Sequence, residues 1–294
     1  MRIVVTGKEG QVVQSLCEID PGLGVEIVAV GRPELDLAMP ATVLPALEAL
    51  RPDVVVSAAA YTAVDKAEGE PEAAFAINGD GAGAVARAAA ALGVPVIHLS
   101  TDYVFDGSKA EPYVETDVTG PLSVYGRSKL EGERQGAAAT DNHVLLRTCW
   151  VYSPFGANFV KTMLRLAESR DVVSVVADQR GRPTSALDIA SAVIAVARRL
   201  VADPDPALRG TFHLAGSGEA SWADFAEAIF DGFEKRGGRH VSVTRIATAD
   251  YPTPATRPQN SRLATDKLAS TFGVVLPDWR QSLDRVLDTL LAKG

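Results

Sequence analysis

The sequence predicts an α/β protein: a doubly wound parallel sheet with a smaller, interleaved C-terminal α+β lobe. Three observations carry that prediction. Short β-branched apolar runs alternate with Ala-rich stretches of helical spacing, glycines cluster where the first run ends, and the alternation loosens after Val151.

Taken in order, Arg2–Thr6, Val25–Val30, Asp53–Ser57, Val94–Ser100 and His143–Arg147 have strand length. Several are apolar on both faces, as strands buried inside a parallel sheet must be. Pro71–Leu92 carries Ala73, Ala74, Ile77, Ala84, Val85, Ala88 and Leu92 at mostly helical spacings, and Gly93 then Pro95 stop it. Leu122–Gly136, after Pro121, is the next helix. Beyond Val151 the pattern gives a helix at Phe155–Ala167, a strand at Val172–Val176 and an apolar helix at Leu187–Leu200. A turn at Asp203–Pro206 leads to a strand at Gly210–Ala215. A helix (Trp222–Phe233), a short strand (Val241–Arg245) and two short helices complete the chain. Thr248–Ser261 has three prolines and no apolar periodicity, which marks a binding loop more than a linker. The expected division is 1–152 with about 186–215 for a dinucleotide, and about 153–185 with 216–294 for a substrate.

Composition excludes several classes. With 47% apolar and 22% charged residues, the chain is neither disordered nor membrane-embedded. Its longest apolar stretches, such as Val54–Val56 and Val193–Ala197, fall far short of the roughly 20 residues that span a bilayer. A formal charge of −8 argues against a nucleic-acid face. Two cysteines and four scattered histidines give neither a disulfide framework nor zinc spacing. The first strand runs straight into a motif, leaving no room for a signal peptide, so a cytoplasmic location is expected, with no membrane or nucleic-acid partner.

The first strand meets Gly7-Lys8-Glu9-Gly10-Gln11-Val12-Val13. Glycines at a strand-to-helix turn let the backbone approach a pyrophosphate, which then rests on free N–H groups, the arrangement of a Rossmann-like fold. Val13 stands where a third glycine would let the helix pack closest. The second strand ends in Val30-Gly31-Arg32 with no carboxylate before Glu34. Arg32 either faces the 2′-phosphate of NADPH or is a solvated loop residue; the first reading favours NADPH over NADH.

Tyr125 and Lys129 lie four apart at the start of a helix, so they share a face one turn apart. An ammonium there favours phenolate over phenol and draws the tyrosine pKa down, which suits proton transfer to a carbonyl receiving hydride. Ser100-Thr101-Asp102-Tyr103 ends the fourth strand at the carboxyl edge where open α/β sheets bind ligands. Thr101 offers a hydroxyl to the same carbonyl oxygen, and Asp102 is a helix cap, a substrate-hydroxyl ligand or a proton relay.

These motifs resemble those of the extended short-chain dehydrogenases/reductases. Over nearly the whole chain the resemblance is to the members that reduce dTDP-4-dehydrorhamnose. It rests on Gly7-x-x-Gly10-Gln11-Val12, Ala58-Ala59-Ala60-Tyr61-Thr62-Ala63-Val64-Asp65, Ser100–Gly107 and Tyr125-Gly126-x-x-Lys129. It continues through Arg147-Thr148-x-Trp150-Val151-Tyr152, Asn158–Met163, Asp178-Gln179-x-Gly181-x-Pro183-Thr184, Tyr251–Ala255 and Arg257-Pro258-x-Asn260-Ser261. The resemblance implies reduction of dTDP-4-dehydro-β-L-rhamnose to dTDP-β-L-rhamnose, the last step in making that sugar nucleotide. It implies that Tyr125 donates the proton and that Lys129 partners it and bonds the nicotinamide ribose. Gly10, Gln11 and Val12 fall at the pyrophosphate loop, Asp36 and Leu37 at the adenine, and Ala60, Tyr61 and Thr62 along the ribose and phosphates. Thr101, Asp102 and Trp150 fall at the sugar.

Residue type and loop context add Arg257 for a phosphate oxygen and Asn158 for a pyrophosphate or sugar contact. Phe155 and Phe159 are expected in the core. Some bacterial members dimerise around a magnesium held by glutamates. Ser15 and Leu187 stand at those positions here, so no metal is expected and the chain is a monomer or homodimer. Val13 in place of the usual third glycine implies weaker cofactor binding. Two other functions compete: a reductase or epimerase of another nucleotide-4-ketosugar, and a non-catalytic cofactor-binding regulatory subunit. The presence of Thr101, Tyr125 and Lys129 favours the enzyme over the latter.

Overall fold

The structure, a computed structural model, describes residues 1–19 and 24–292. The chain opens with strand β1 (Arg2–Thr6), helix α1 (Gln11–Cys17) and strand β2 (Glu26–Val30). Then come α2 (Val43–Leu50), β3 (Val54–Ser57), the short helices α3 (Val64–Ala67) and α4 (Pro71–Phe75), α5 (Ala82–Leu92) and β4 (Val96–Thr101). Helix α6 (Val124–Ala139) precedes β5 (His143–Thr148) and the two-residue β6 (Val151–Tyr152). Next are α7 (Phe159–Ala167), β7 (Val172–Val176), β8 (Arg180–Gly181), β9 (Thr184–Ser185) and α8 (Ala186–Ala202). The remainder is β10 (Gly210–His213), β11 (Ala220–Ser221), α9 (Trp222–Lys235), β12 (Ser242–Ile246), α10 (Asp266–Phe272) and α11 (Trp279–Leu291).

Six strands form one parallel sheet in the order β2-β1-β3-β4-β5-β10. The alternation of side chains sends Val4 and Val55 to one face, against Val43, Leu47, Val85 and Ala89 of α2 and α5. Ile3, Val5, Val54 and Val56 go to the other, against Val13, Leu16, Val193 and Ala197 of α1 and α8. Burial on both faces is why these runs are apolar throughout. From β1 the chain steps outward to β2 and then returns to β3 on the opposite side. The crevice beyond the carboxyl ends of β1 and β3 is therefore the topological switch point, where such sheets bind ligands.

The second core belongs to the C-terminal lobe and gathers Tyr152, Met163, Val173, Phe225, Ile229 and Trp279. Its small parallel ladder pairs β12 with β7. Among the described residues no helix is long and apolar enough to cross a membrane.

Several expected elements differ in a way that matters to the site. The helix expected over Pro71–Leu92 is broken by a π-helical turn at Ala76–Gly81. That wider turn carries the buried Asn78, whose Oδ1 accepts from Tyr61 N (2.8 Å) and whose amide donates to Tyr61 O and Ser128 Oγ (both 3.0 Å). A local polar demand thus overrides helical propensity, as π-turns at functional sites commonly do. The helix expected from Phe155 starts only at Phe159, because Asn158 caps it by accepting from Lys161 N. The strand expected over Gly210–Ala215 ends at His213 and is the sixth strand of the main sheet. Loop Thr248–Ser261 holds one 3-10 turn, and Asn260 anchors its far end by donating to Lys109 O and Glu111 O.

Candidate active site

Two adjoining clefts open at the switch point, of about 520 and 560 Å³, and both are lined by Gly10, Val13, Ala58, Ala60 and Thr62. The first is bounded by Gly7, Gly31, Arg32, Asp36 and Leu37 as well. Glycine and alanine make up much of its lining, beside the longer side chains of Lys8, Glu9, Leu35 and Ile77. Gly7 sits at φ +100°, which L side chains rarely adopt, and a Cβ on it would lie 3.4 Å from Ala59 Cβ. Its N–H is spent on Val30 O at 2.7 Å. A dinucleotide's adenosine and pyrophosphate fit such a lining, because Gly7, Gly10 and Gly31 carry no side chain and Ala58–Ala60 carry only methyl groups.

Val13, standing for the third glycine, is buried in the sheet core and lines both clefts. Arg32 is exposed at the rim. Beside it Lys8 Nζ donates to Arg32 O (3.0 Å) and pairs with Glu34 (2.8 Å). Tyr61 lines neither cleft with the residues above; its hydroxyl donates to Glu70 at 2.7 Å. What Tyr61 brings to this region is its backbone, clamped by Asn78.

The second cleft brings together Gln11, Val12, Thr101, Asp102, Tyr125, Lys129, Trp150 and Asn158, residues up to 147 apart in the chain. Tyr125 and Lys129 lie on one face of α6, whose start is fixed by Ser123 accepting from Gly126 N (3.1 Å). Helix and preceding loop meet at van der Waals limits: a Cβ on Gly126 would come within 2.2 Å of Tyr103 O, and one on Gly132 within 2.1 Å of Asn78 O. Glycine at both places lets α6 sit close enough for its side chains to reach β4.

Electrostatics here correct one expectation. The net shift of the Tyr125 phenol is upward, not downward. Burial, with the charge of Asp102 adding to it, holds the phenol well above its ordinary range, against a smaller opposite pull from the Thr101 hydroxyl. It is the ammonium that moves: burial pushes Lys129 down to about 8, opposed by Glu133. Tyr125 is thus firmly protonated, the state a proton donor needs. Lys129 Nζ donates to Leu99 O at 2.7 Å and lies 3.4 Å from His98 Nε2. One turn along, Glu133 accepts from Ser100 Oγ (2.5 Å), Arg147 Nε (2.9 Å) and Arg147 Nη2 (2.7 Å) in a buried network.

On the substrate side, Asp102 is buried; burial pushes it up to about 6 against the opposite pull of the Ser261 and Thr101 hydroxyls, and no hydrogen bond reaches its Oδ2. Thr101 Oγ1 donates to its Oδ1 at 3.0 Å. Trp150 stacks on Trp222 with ring centroids 3.6 Å apart. A Cβ on Gly181 would meet its indole at 2.4 Å, so Trp150 is packed tightly against both Trp222 and Gly181 while lining the cleft.

Two expected ligand residues are otherwise engaged. Asn158 donates to Gln11 Oε1 (3.0 Å), Ser153 O (2.9 Å) and Phe155 O (3.1 Å) while its Oδ1 caps α7. These bonds make Asn158 a strut between the glycine turn and the lobe, at a point where it also lines the second cleft. Arg257 lies outside both clefts, tied to Asp65 (2.7 Å) and Tyr103 Oη (3.0 Å). Asp65 also accepts from Ala255 N (3.2 Å), so this pair fastens the C-terminal loop to the sheet domain.

Comparison with known proteins agrees with this geometry. The model of the RmlD substrate binding domain family matches residues 1–292. The chain belongs to that family. It is 57% identical over its full length to the dTDP-4-dehydrorhamnose reductase of Sinorhizobium fredii, covering 99% of that protein. It is 43% identical to the enzyme of the same name from Escherichia coli, with 99% of this chain and 98% of that one aligned. Among solved structures, a dTDP-4-dehydrorhamnose reductase from Bacillus anthracis in complex with NADP superposes with a TM-score of 0.90 at 33% identity, covering 98% of this chain and 99% of that one. A UDP-glucose 4-epimerase from Thermus thermophilus, 19% identical with a TM-score of 0.79 and full coverage of both chains, shares the fold.

Sequence reasoning missed His98, Glu133, Arg147, Asn78 and Trp222. A signal was present for the first two. His98 and Ser100 are polar on one side of a strand otherwise apolar, and Glu133 repeats the four-residue step from Tyr125 to Lys129.

Proposed function

We propose that the protein reduces dTDP-4-dehydro-β-L-rhamnose to dTDP-β-L-rhamnose with NADPH. The observation that carries this is the continuity of the two clefts. A glycine- and alanine-rich dinucleotide cradle runs directly onto Tyr125 and the buried Lys129 and Thr101. Gly7, Gly10, Gln11, Val12, Ala60 and Thr62 would hold the pyrophosphate and ribose, Asp36 and Leu37 the adenine, and Arg32 the 2′-phosphate. The bound dinucleotide supplies the hydride.

The chain's own residues do the rest. Tyr125, kept protonated by burial, donates its proton to the sugar oxygen as the C4 carbonyl becomes an alkoxide. Lys129 stabilises the phenolate that remains, in a site shielded from water where such a charge pair is strong. The Thr101 hydroxyl orients the same oxygen. Asp102 receives a sugar hydroxyl through its unpartnered Oδ2, and Trp150 packs on the ring.

The proposed division gives residues 1–152 and about 186–215 to the dinucleotide, with the other segments forming the nucleotide-sugar lobe. The apolar packing of α8 on the sheet supports it. The enzyme would act in the cytoplasm as a monomer or homodimer without a bridging metal. Mixing it with NADPH and dTDP-4-dehydrorhamnose should lower NADPH absorbance in proportion to the ketosugar added. Tight NADPH binding with no consumption would identify a cofactor-binding scaffold instead.

A further inference from the structure

We infer that His98, with Ser57 behind it, is a positioning residue that keeps Lys129 charged and aimed at the reacting end of the cleft; this rests on the proposed partnership of Lys129 with Tyr125. His98 points from the middle of β4 toward α6 and is only 5% exposed. Its two ring nitrogens each face one buried group: Nδ1 is 3.0 Å from Ser57 Oγ and Nε2 is 3.4 Å from Lys129 Nζ. Ser57 is the β3 residue paired in register with His98, so the chain Ser57–His98–Lys129 crosses from one strand to the next and then up to the helix.

Donor and acceptor logic fixes the roles. An ammonium has three donors and no acceptor, so the nitrogen facing it must carry a lone pair. The ring proton therefore resides on Nδ1 and is donated to Ser57 Oγ. A protonated ring would set two cations in contact in a buried site. Burial and the neighbouring ammonium both hold His98 well below its ordinary range, so it stays neutral. Leu99 O and His98 Nε2 are then the two protein acceptors of Lys129, leaving its third hydrogen for the cleft.

The groups facing Lys129 are Tyr125 and Glu133 on its own helix and His98 on β4. Arg147 on β5 is held by Glu133, while Asp102 and His143 act at longer range on Tyr125 and His98. Glu133 already has three donors, so His98 supplies the acceptor that the carboxylate does not.

The test is the pH profile of kcat/KM. The wild type should lose activity above about pH 8 as Lys129 deprotonates. In His98→Leu the ammonium loses an acceptor, and that basic limb should move down by about one pH unit, since a hydrogen bond to a charged group is worth roughly that much. His98→Gln, whose Oε1 can accept, should restore most of it. A folded His98→Leu enzyme with its basic limb unmoved, or Leu and Gln variants depressed equally at every pH, would overturn the inference. If His98→Leu does not fold, Ser57→Ala decides in the same way: it frees the ring tautomer and should move the limb in the same direction, and an unmoved limb is again contrary. Failure of the underlying reductase reading looks different, because the wild type itself would then consume no NADPH.

Discussion

The dinucleotide cradle and the catalytic wall face each other across one crevice but are made of different material. The cradle is rich in small residues, Gly7, Gly10, Gly31 and Ala58–Ala60, with an exposed rim where Lys8 pairs with Glu34. The wall is a buried polar lattice, in which Lys129, Glu133, Arg147, Ser100 and His98 are each at most 5% exposed. Shape and solvated charge set what the cradle accepts, and solvent screening keeps each contact there weak. The wall holds charges in low dielectric, where a missing partner is expensive. The same kind of substitution should therefore have very different consequences on the two sides.

The largest expected effect on stability is Glu133→Gln. It leaves Arg147 buried without a counter-charge, and Nη1 of that residue already has no partner. Urea unfolding should show a loss of about 3–5 kcal/mol; a loss under 1 kcal/mol would mean that the wall is no more demanding than the rim.

Lys129→Met comes next, through pH. Burial lowers the Lys129 pKa from its ordinary 10.5 to about 8, a separation worth on the order of 3 kcal/mol. Between those values the unfolded chain binds a proton that the folded one does not, so wild-type stability gains as pH rises through that window. Below about pH 8 the burial cost is present in full. The stability of the wild type relative to Lys129→Met should rise from about pH 8 to 10.5, as read by unfolding at several pH values. A pH-independent difference would place the ammonium in a more solvated setting.

On the cradle side the changes are selective instead of disruptive. Arg32→Asp should move preference from NADPH toward NADH by about 10- to 100-fold in kcat/KM, as expected for losing one charged phosphate contact. Stability should stay within about 0.5 kcal/mol, since the site is exposed. An unchanged NADPH/NADH ratio would return Arg32 to the solvated loop. Smallest of all is Glu34→Gln, which removes an exposed, solvent-screened pair and should leave the urea unfolding midpoint unchanged; a clear shift would show that the rim pair is less screened than its exposure implies.

The same contrast explains what the sequence made legible. The glycine turn and the tyrosine–lysine step are local, set by spacings of three and four residues, so chain order alone displays them. The wall depends on register. Ser57 meets His98 and Ser100 meets Glu133 only after β3, β4 and α6 have packed, and no spacing announces those meetings. At Asn158 and Arg257 residue type suggested ligand contacts but gave no hint of the structural ties these side chains make. Both sit where the lobe joins the sheet domain, and their donors tie the two together. Burial also reversed the expected direction at Tyr125, because a short spacing shows the neighbouring ammonium but not the loss of water around the phenol.

In the proposed reaction a protonated, partly buried Tyr125 gives its proton to the ketone across the crevice from the dinucleotide. Single-turnover and steady-state kinetics of Tyr125→Phe, alongside NADPH titration, test it most directly. Turnover should fall by about 10²- to 10⁴-fold, with NADPH affinity changed no more than about threefold, since removing one hydroxyl leaves the cradle intact. Turnover near the wild-type rate, with NADPH bound normally, would contradict it.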